Sequence, residues 1–285
     1  MAKILMVVWI MSESGIRSSI TISVVEEAKA GPFVFHDGWE DGCRRAAELG
    51  FDAVELFAPS AEAISALPIV EMLEKYNLAL AAVGTGGGWV RHKWHLCHQD
   101  PQVRSKALDF IKGIIEAGAK FKAPAILGSM QGRFEGDVSR SQALEWLGSA
   151  IKELGQFAED HGTVFLYEHL NRYETNLFNL TADAAAFIRS TGAGNVRLLC
   201  DLFHMNIEEV SISKALIEAG EMVGHVHFVD SNRHAAGFGH TNFEPIGEAL
   251  KRIGFKGFAS AEAFPKPDAD ATARMTIESF RKYLA

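Results

Sequence analysis

Eight times along the chain, a short apolar run rich in β-branched residues gives way to a longer segment with helical spacing. The runs are SITISVV (19–25), AVELF (53–57), LALAAVG (78–84), APAILGS (123–129), TVFLYEH (163–169), VRLLCD (196–201), VGHVHFV (223–229) and FASAE (258–262). Between them lie amphipathic segments such as DGCRRAAELG (41–50), QVRSKALDFIKGIIEAGAK (102–120), SRSQALEWLGSAIKELGQFAEDHG (139–162) and TADAAAFIRSTG (181–192). Thr181 reads as a helix N-cap, and Gly50, Gly162 and Gly192 as C-terminal stops. From Ser19 to Phe258 the interval averages about 34 residues, the size of a βα unit with its return. Alternation at that pitch implies a parallel sheet, and eight units close into a barrel more naturally than they form an open sheet. The expected fold is therefore α/β, a (β/α)8 TIM barrel in one domain over residues 1–285. Residues 1–18 are left over as an N-terminal extension. Within it Lys3–Met11 reads as an extra strand or hairpin covering the barrel bottom, followed by a turn; the rival reading makes that run barrel strand one. A dinucleotide-binding reading is weak, because the GTGGGW run (84–89) follows the third strand and lacks GxGxxG spacing.

A 285-residue chain with 48% apolar content and 19 Phe can fill the core that such a barrel needs. The net charge of −8, without a Lys/Arg-rich run, argues against nucleic acid or anionic lipid as a partner held by counterion release. The longest N-terminal apolar run, Ile4–Met11, is too short to cross a bilayer. Cys43, Cys97 and Cys200 are widely separated, which fits reduced thiols in a cytoplasmic protein rather than a disulfide framework or a CxxC metal site.

Chemistry in a (β/α)8 barrel is carried at the C-terminal ends of the strands and in the loops that follow. Four successive strands deliver metal-ligand side chains there. The fifth ends in Glu168 and His169, the sixth in Asp201, the seventh passes through His225 and His227, and the eighth ends in Glu262. Three carboxylates and an imidazole form a hard donor set suited to Mn²⁺, Mg²⁺ or Co²⁺. The bland alternative is that barrel mouths are polar in any case; Glu55 also ends a strand, without joining an obvious cluster. A second group lies at short offsets beyond the first: Glu174, His204 and Arg233. Such a set suits a ligand rich in hydroxyls with a carbonyl, as a sugar is.

Through EHLNRYET, CDLFHMNIEE, GHVHFVDSNR and SAE, from about Phe165 to Glu262, the sequence resembles the metal-dependent ketose 3-epimerases (D-tagatose and D-psicose 3-epimerases) of the xylose isomerase-like barrel superfamily. The first half matches in layout only. The resemblance implies that Glu168, Asp201, His227 and Glu262 hold a divalent metal, Mn²⁺ before Mg²⁺ or Co²⁺, and that Glu174, His204 and Arg233 contact the substrate. It implies that Glu168 and Glu262 are catalytic, one removing the C3 proton of a free ketose and the other returning a proton to the opposite face of an enediolate. It also implies a homodimer or homotetramer. Relatives with similar metal shells offer alternatives: aldose–ketose or hydroxypyruvate isomerisation, inosose dehydration, β-elimination from 3-oxo-glycosides, or a non-catalytic sugar-binding barrel. An endonuclease IV-type enzyme needs a His-rich trinuclear site and a basic face, which this chain lacks.

The loops after the first four strands are the chain's own: GPFVFHDGWE (31–40), GGGWVRHKWHLCHQ (86–99) and GSMQGRFEG (128–136). Trp89 and Trp94 of the second loop, with Glu55 at the end of its strand, are the candidate pocket residues, flat indole rings being suited to the C–H faces of a sugar. The equal alternative is a packed loop or a subunit contact, for which exposed Phe and Trp of these loops would serve. The i, i+3, i+6 spacing of His92, His95 and His98 is a weak signal for a second metal.

Overall fold

The computed structural model describes residues 15–285; the expected N-terminal strand at Lys3–Met11 lies outside the described residues. Eight parallel strands close into a barrel in sequence order: β1 Arg17–Ser23, β2 Ala53–Phe57, β3 Ala79–Gly84, β4 Ala125–Leu127, β5 Phe165–Glu168, β6 Val196–Asp201, β7 Val223–His227 and β8 Phe258–Ala261. Closure is made by β8 on β1, with Arg17 opposite Phe258 and Ile20 opposite Ala261. Barrel strand one is thus Arg17–Ser23, which overturns the rival reading that put it at Lys3–Met11. Strand β4 is shorter than its apolar run: only Ala125–Leu127 pair, bounded by Pro124 and Gly128.

The helices are α1 Trp39–Leu49, α2 Ala61–Ala66, α3 Ile69–Tyr76, α4 Gly87–His92, α5 Pro101–Ala119, α6 Arg140–Asp160, α7 Thr181–Thr191, α8 Leu202–Glu208, α9 Ile212–Ala219, α10 Glu244–Arg252 and α11 Ala269–Tyr283. Their ends follow from local chemistry. Asp100 and Ser139 cap α5 and α6 by accepting from the amides of Gln102 and Gln142. Gly50 ends α1 at φ 83°, a left-handed conformation that glycine adopts without a Cβ penalty. Gly162 (φ 72°) lies one residue past the α6 cap, His161, and Gly192 (φ 72°) closes α7. Thr181 does not cap α7. It is the first helical residue, and its hydroxyl turns inward to His169 Nε2 at 3.0 Å, while Glu209 accepts its amide at 2.8 Å.

The main core lies between the strands and the helical ring, where Ile20, Ile22, Val54, Leu56, Leu127, Tyr167 and Leu198 meet Ile111, Ile114, Ile151 and Leu154. A smaller apolar plug of Ala82, Ile126, Leu166 and Leu199 is separate from it. Because side chains alternate along a strand, Leu166 shares its face with Glu168, and Leu199 with Asp201. The same parity places His225 with His227, and Ser260 with Glu262. Beneath the acidic mouth the barrel interior is therefore apolar on the β3–β6 side, and polar on the opposite side, where Ser19, Glu55, His225 and Ser260 are buried.

Among the described residues, the exposed large hydrophobics are Val70, Tyr173, Leu180 and Val210. Of the Phe and Trp expected to offer a contact surface in the first-half loops, Phe33, Phe35 and Trp39 are buried, while Trp89, Trp94 and Phe134 are partly buried. Phe33 stacks on Phe57 at 4.3 Å and packs with Val25 and Ala28. No described helix is long and apolar enough to cross a membrane.

Candidate metal centre

Glu168, Asp201, His227 and Glu262 converge, each offering one donor atom within 4.8 Å of the others. They come from β5, β6 and β7 and from the residue after β8, so four strand ends share one point. His227 Nδ1 lies 3.2 Å from Asp201 Oδ2 and 3.8 Å from both Glu168 Oε1 and Glu262 Oε2. Asp201 divides its oxygens: Oδ1 caps α8, accepting from the amides of Phe203 (2.7 Å) and His204 (3.1 Å), which leaves Oδ2 for the cluster.

The donor set fits a hard divalent cation. Glu168 Oε1 is buried without a hydrogen-bond partner, a costly state for a carboxylate that no cation serves. Burial, together with the charges of Glu262 and Asp201, pushes the Glu168 carboxyl well above its ordinary range. Burial also raises Glu262, although Arg233 and His227 draw it down. Burial disfavours the charged forms of Asp201 and His227 too. Nearby cationic groups nonetheless hold Asp201 below its ordinary range, and the carboxylates of Glu55, Glu262 and Asp201 hold His227 well above its own. A divalent ion would relieve this crowding by supplying the positive charge that the four donors share.

Glu174, His204 and Arg233 stand on the same rim. Arg233 places one guanidinium nitrogen 2.5 Å from Glu262 Oε2 and another 3.4 Å from Glu174 Oε1. Its backbone sits at φ 58°, a conformation that needs support in a residue bearing Cβ. Asp230 supplies that support: its buried carboxylate accepts from the amides of Ser231, Gly237 and Thr241 at 2.7, 2.8 and 3.0 Å and folds the loop around Arg233. His204 Nε2 is 3.6 Å from Glu168 Oε1. Burial keeps its imidazole neutral, lowering its pKa to about 3.

Two sets of supporting residues lie outside the sequence-derived set. Asn171 bonds His204 Nδ1 and also reaches Glu174 Oε1 at 3.3 Å. Gln131 accepts from the Tyr167 hydroxyl at 2.6 Å and donates to the Glu168 backbone carbonyl at 2.9 Å, bracing the end of β5 from the loop after β4. Glu55 corrects the sequence reading. It is 4% exposed, and it joins a cluster after all, bonding His225 Nε2 at 2.8 Å and His227 Nε2 at 3.1 Å. Trp94 stacks on His92 at 4.2 Å and meets the edge of Phe110, whereas Trp89 packs against His95. His92, His95 and His98 belong to neither of the metal-type groups found among the described residues. Instead His98 Nδ1 accepts the amide of Asp100 at 3.0 Å.

A closed (β/α)8 barrel with an acidic, one-histidine cluster at its strand ends defines a class, and the chain belongs to it: the profile of the xylose isomerase-like TIM barrel family matches residues 43–283. Within that family it stands with the ketose 3-epimerases. It is 31% identical over 247 residues to a D-psicose 3-epimerase of Agrobacterium fabrum (84% of this chain, 81% of that one). It is also 31% identical over 229 residues to the D-psicose 3-epimerase of Ruminiclostridium cellulolyticum (77% and 76%). Its fold superposes on the crystal structure of D-psicose 3-epimerase with D-tagatose from Clostridium cellulolyticum H10 with a TM-score of 0.78, at 23% identity, covering 94% of this chain and 99% of that one.

Proposed function

We propose that this chain works as one barrel domain that epimerises a free ketose at C3, with Mn²⁺ held by Glu168, Asp201, His227 and Glu262. The observation that carries this reading is the convergence of those four donors within 4.8 Å, with Arg233 and His204 directed at the same mouth. When bound, the cation would polarise the C2 carbonyl and offset the charge that builds up as the neighbouring C–H ionises.

The remaining work falls to side chains. Inversion requires a proton to leave one face of C3 and another to arrive on the opposite face. Glu168 and Glu262 come from strands three apart in a ring of eight, which suits them to flank a sugar from two sides. One takes the C3 proton while the other, protonated, delivers its own; the starting configuration decides which. Arg233 holds Glu262 in place and offers its remaining N–H groups to the oxygens at C1 and C2. His204, neutral, donates from Nε2 to the oxygen that gains charge, and Glu174 fixes Arg233 from the other side.

The hard oxygen-rich shell supports Mn²⁺, and three buried free thiols support a reducing, cytoplasmic setting. Association into a homodimer or homotetramer would cover Tyr173, Leu180 and Val210, which lie on the loops after β5 and β6. Incubation of the Mn²⁺-loaded protein with D-fructose, D-tagatose and other free ketoses in D₂O tests the reaction. Deuterium at C3 together with the C3 epimer is expected. Exchange confined to C1 would make the enzyme an isomerase, and absence of exchange across the panel would sink proton transfer beside a carbonyl.

A further inference from the structure

Glu55 is the buried acid of this barrel that the proposed reaction leaves without a task. It sits in the middle of β2, opposite Thr21 of β1. Strand β2 is separated from β7 by β1 and β8, so the carboxylate crosses the barrel interior to reach the two imidazoles of β7. Its oxygens divide between them, Oε2 to His225 Nε2 at 2.8 Å and Oε1 to His227 Nε2 at 3.1 Å. A carboxylate buried to this degree stays charged only where donors meet its oxygens, and each of its oxygens has one.

An ionised carboxylate only accepts hydrogen bonds. Both imidazoles therefore carry a proton on Nε2, which leaves Nδ1 of His227, the atom that faces Asp201 (3.2 Å), Glu168 and Glu262, as the position a cation would take, and any Nδ1 proton shared with Asp201 is the one that the cation displaces. Had the Nε2 proton settled on Nδ1 instead, His227 could not serve as a ligand there. Among the described residues, His225 makes no hydrogen bond to the carboxylates of the acidic cluster. Its ring lies nearly perpendicular to that of His227, at 82° with centroids 5.6 Å apart, and it pins the second oxygen of Glu55 so that the first is aimed at His227.

We propose that Glu55 is a positioning residue that selects the Nε2–H tautomer of His227 and so sets the protein's affinity for a divalent ion, with His225 as its second anchor. The inference rests on reading the acidic cluster as a metal centre. Glu55, His225 and His227 also meet the geometric description of a metal-binding trio, but the two N···O distances are those of ordinary hydrogen bonds, and the trio is assigned as hydrogen-bonded.

The test is Mn²⁺ binding by calorimetry, with stoichiometry, on the full-length protein and on Glu55→Gln and His225→Phe. Gln fills the same volume, but its amide nitrogen donates to one of the two rings and forces that ring to accept. Loss of a carboxylate behind a ligating imidazole typically weakens metal binding about 10- to 100-fold. That range is expected for Glu55→Gln with one Mn²⁺ per chain throughout, with a smaller loss in His225→Phe. Long-range ¹H–¹⁵N spectra of the imidazoles in the unmutated Mg²⁺-loaded protein give a second readout that does not depend on any variant folding. Protons on Nε2 of both rings are expected, and a proton on Nδ1 of His227 would overturn the proposal. Unchanged affinity in folded Glu55→Gln would overturn it while leaving the metal centre intact. Two Mn²⁺ per unmutated chain, falling to one in the variant, would replace it with a second metal site. An unmutated protein that binds no divalent ion would remove the metal-centre reading itself.

Discussion

Asn171 fixes which nitrogen of His204 carries the proton. Its backbone N–H, which can only donate, reaches His204 Nδ1 at 3.3 Å, and its side-chain amide lies 2.7 Å from the same atom. Nδ1 is thus an acceptor, and Nε2, buried and without another partner, presents its hydrogen toward Glu168. Replacement of Asn171 by Ala removes the stronger of the two bonds and leaves the ring freer to turn. A buried hydrogen bond left half-made costs about 1–3 kcal/mol, so kcat/KM is expected to fall about 5- to 150-fold. Steady-state kinetics with the best ketose should show this without a change in Mn²⁺ affinity, because Asn171 touches none of the four cluster residues.

The two glutamates are expected to be non-redundant. Glu168→Gln and Glu262→Gln each keep their shape but lose the proton-transfer group, and loss of a positioned acid–base residue lowers rates about 10²- to 10⁴-fold. Rapid-quench measurement of C3 deuterium exchange should distinguish them. A variant lacking the base for one epimer should still exchange the other epimer more readily than the doubly substituted protein does.

Arg233→Lys tests the fork that joins Glu262 and Glu174. A lysine amine keeps the charge but cannot bridge two carboxylates in fixed planes. KM is expected to rise with a smaller change in kcat, and circular dichroism should report an intact fold because Asp230, not the guanidinium, organises the loop.

Removal of metal should destabilise the protein in a pH-dependent direction. Burial raises the carboxyls of Glu168 and Glu262 in the folded state. The folded state therefore holds protons that the unfolded chain gives up, and metal-free stability falls as pH rises above the ordinary carboxyl range. Bound cation stabilises most where those carboxylates are ionised, by about 2.7 kcal/mol at a hundredfold excess over Kd. Thermal melts with and without chelator at pH 5 and pH 8 should show the larger gap at pH 8.

His95 gives a second titration, of opposite slope. Burial, with a smaller contribution from nearby His98, lowers its pKa from 6.5 to about 4. The unfolded chain binds the proton first, so the stability from neutral His95 is whole above pH 6.5, drains as pH falls toward 4, and changes no further below that. The loss is on the order of 3 kcal/mol at most. Urea titrations at pH 7 and pH 4.5 should show a smaller difference in His95→Gln than in the unmutated chain.

Strand positions were legible because a buried parallel strand is a dense β-branched run and little else produces one at a regular pitch. The members of the acidic cluster were legible for a related reason: a barrel gathers polar side chains at its strand ends, and Glu168, Asp201 and His227 are the last residues of theirs. What escaped was pairing at a distance. Glu55 lies 170 residues before His225, and nothing local links them. The signal it did give was a charged residue amid the apolar run AVELF, which in a strand buried on every residue demands a partner. Thr181 was misread for the opposite reason, since its sequence suits a cap while His169 in the folded barrel competes for its hydroxyl.

The reach of Glu55 across the barrel bears on how such a protein can be recombined. Every residue of the acidic cluster lies from the end of β5 to the residue after β8, so that half looks like a portable cassette onto which any front half might be spliced. It is not self-sufficient, because the acid that orients His227 is encoded in β2. Chimeras that exchange the front half to change sugar preference should retain their metal only when the incoming segment carries a carboxylate at the Glu55 position.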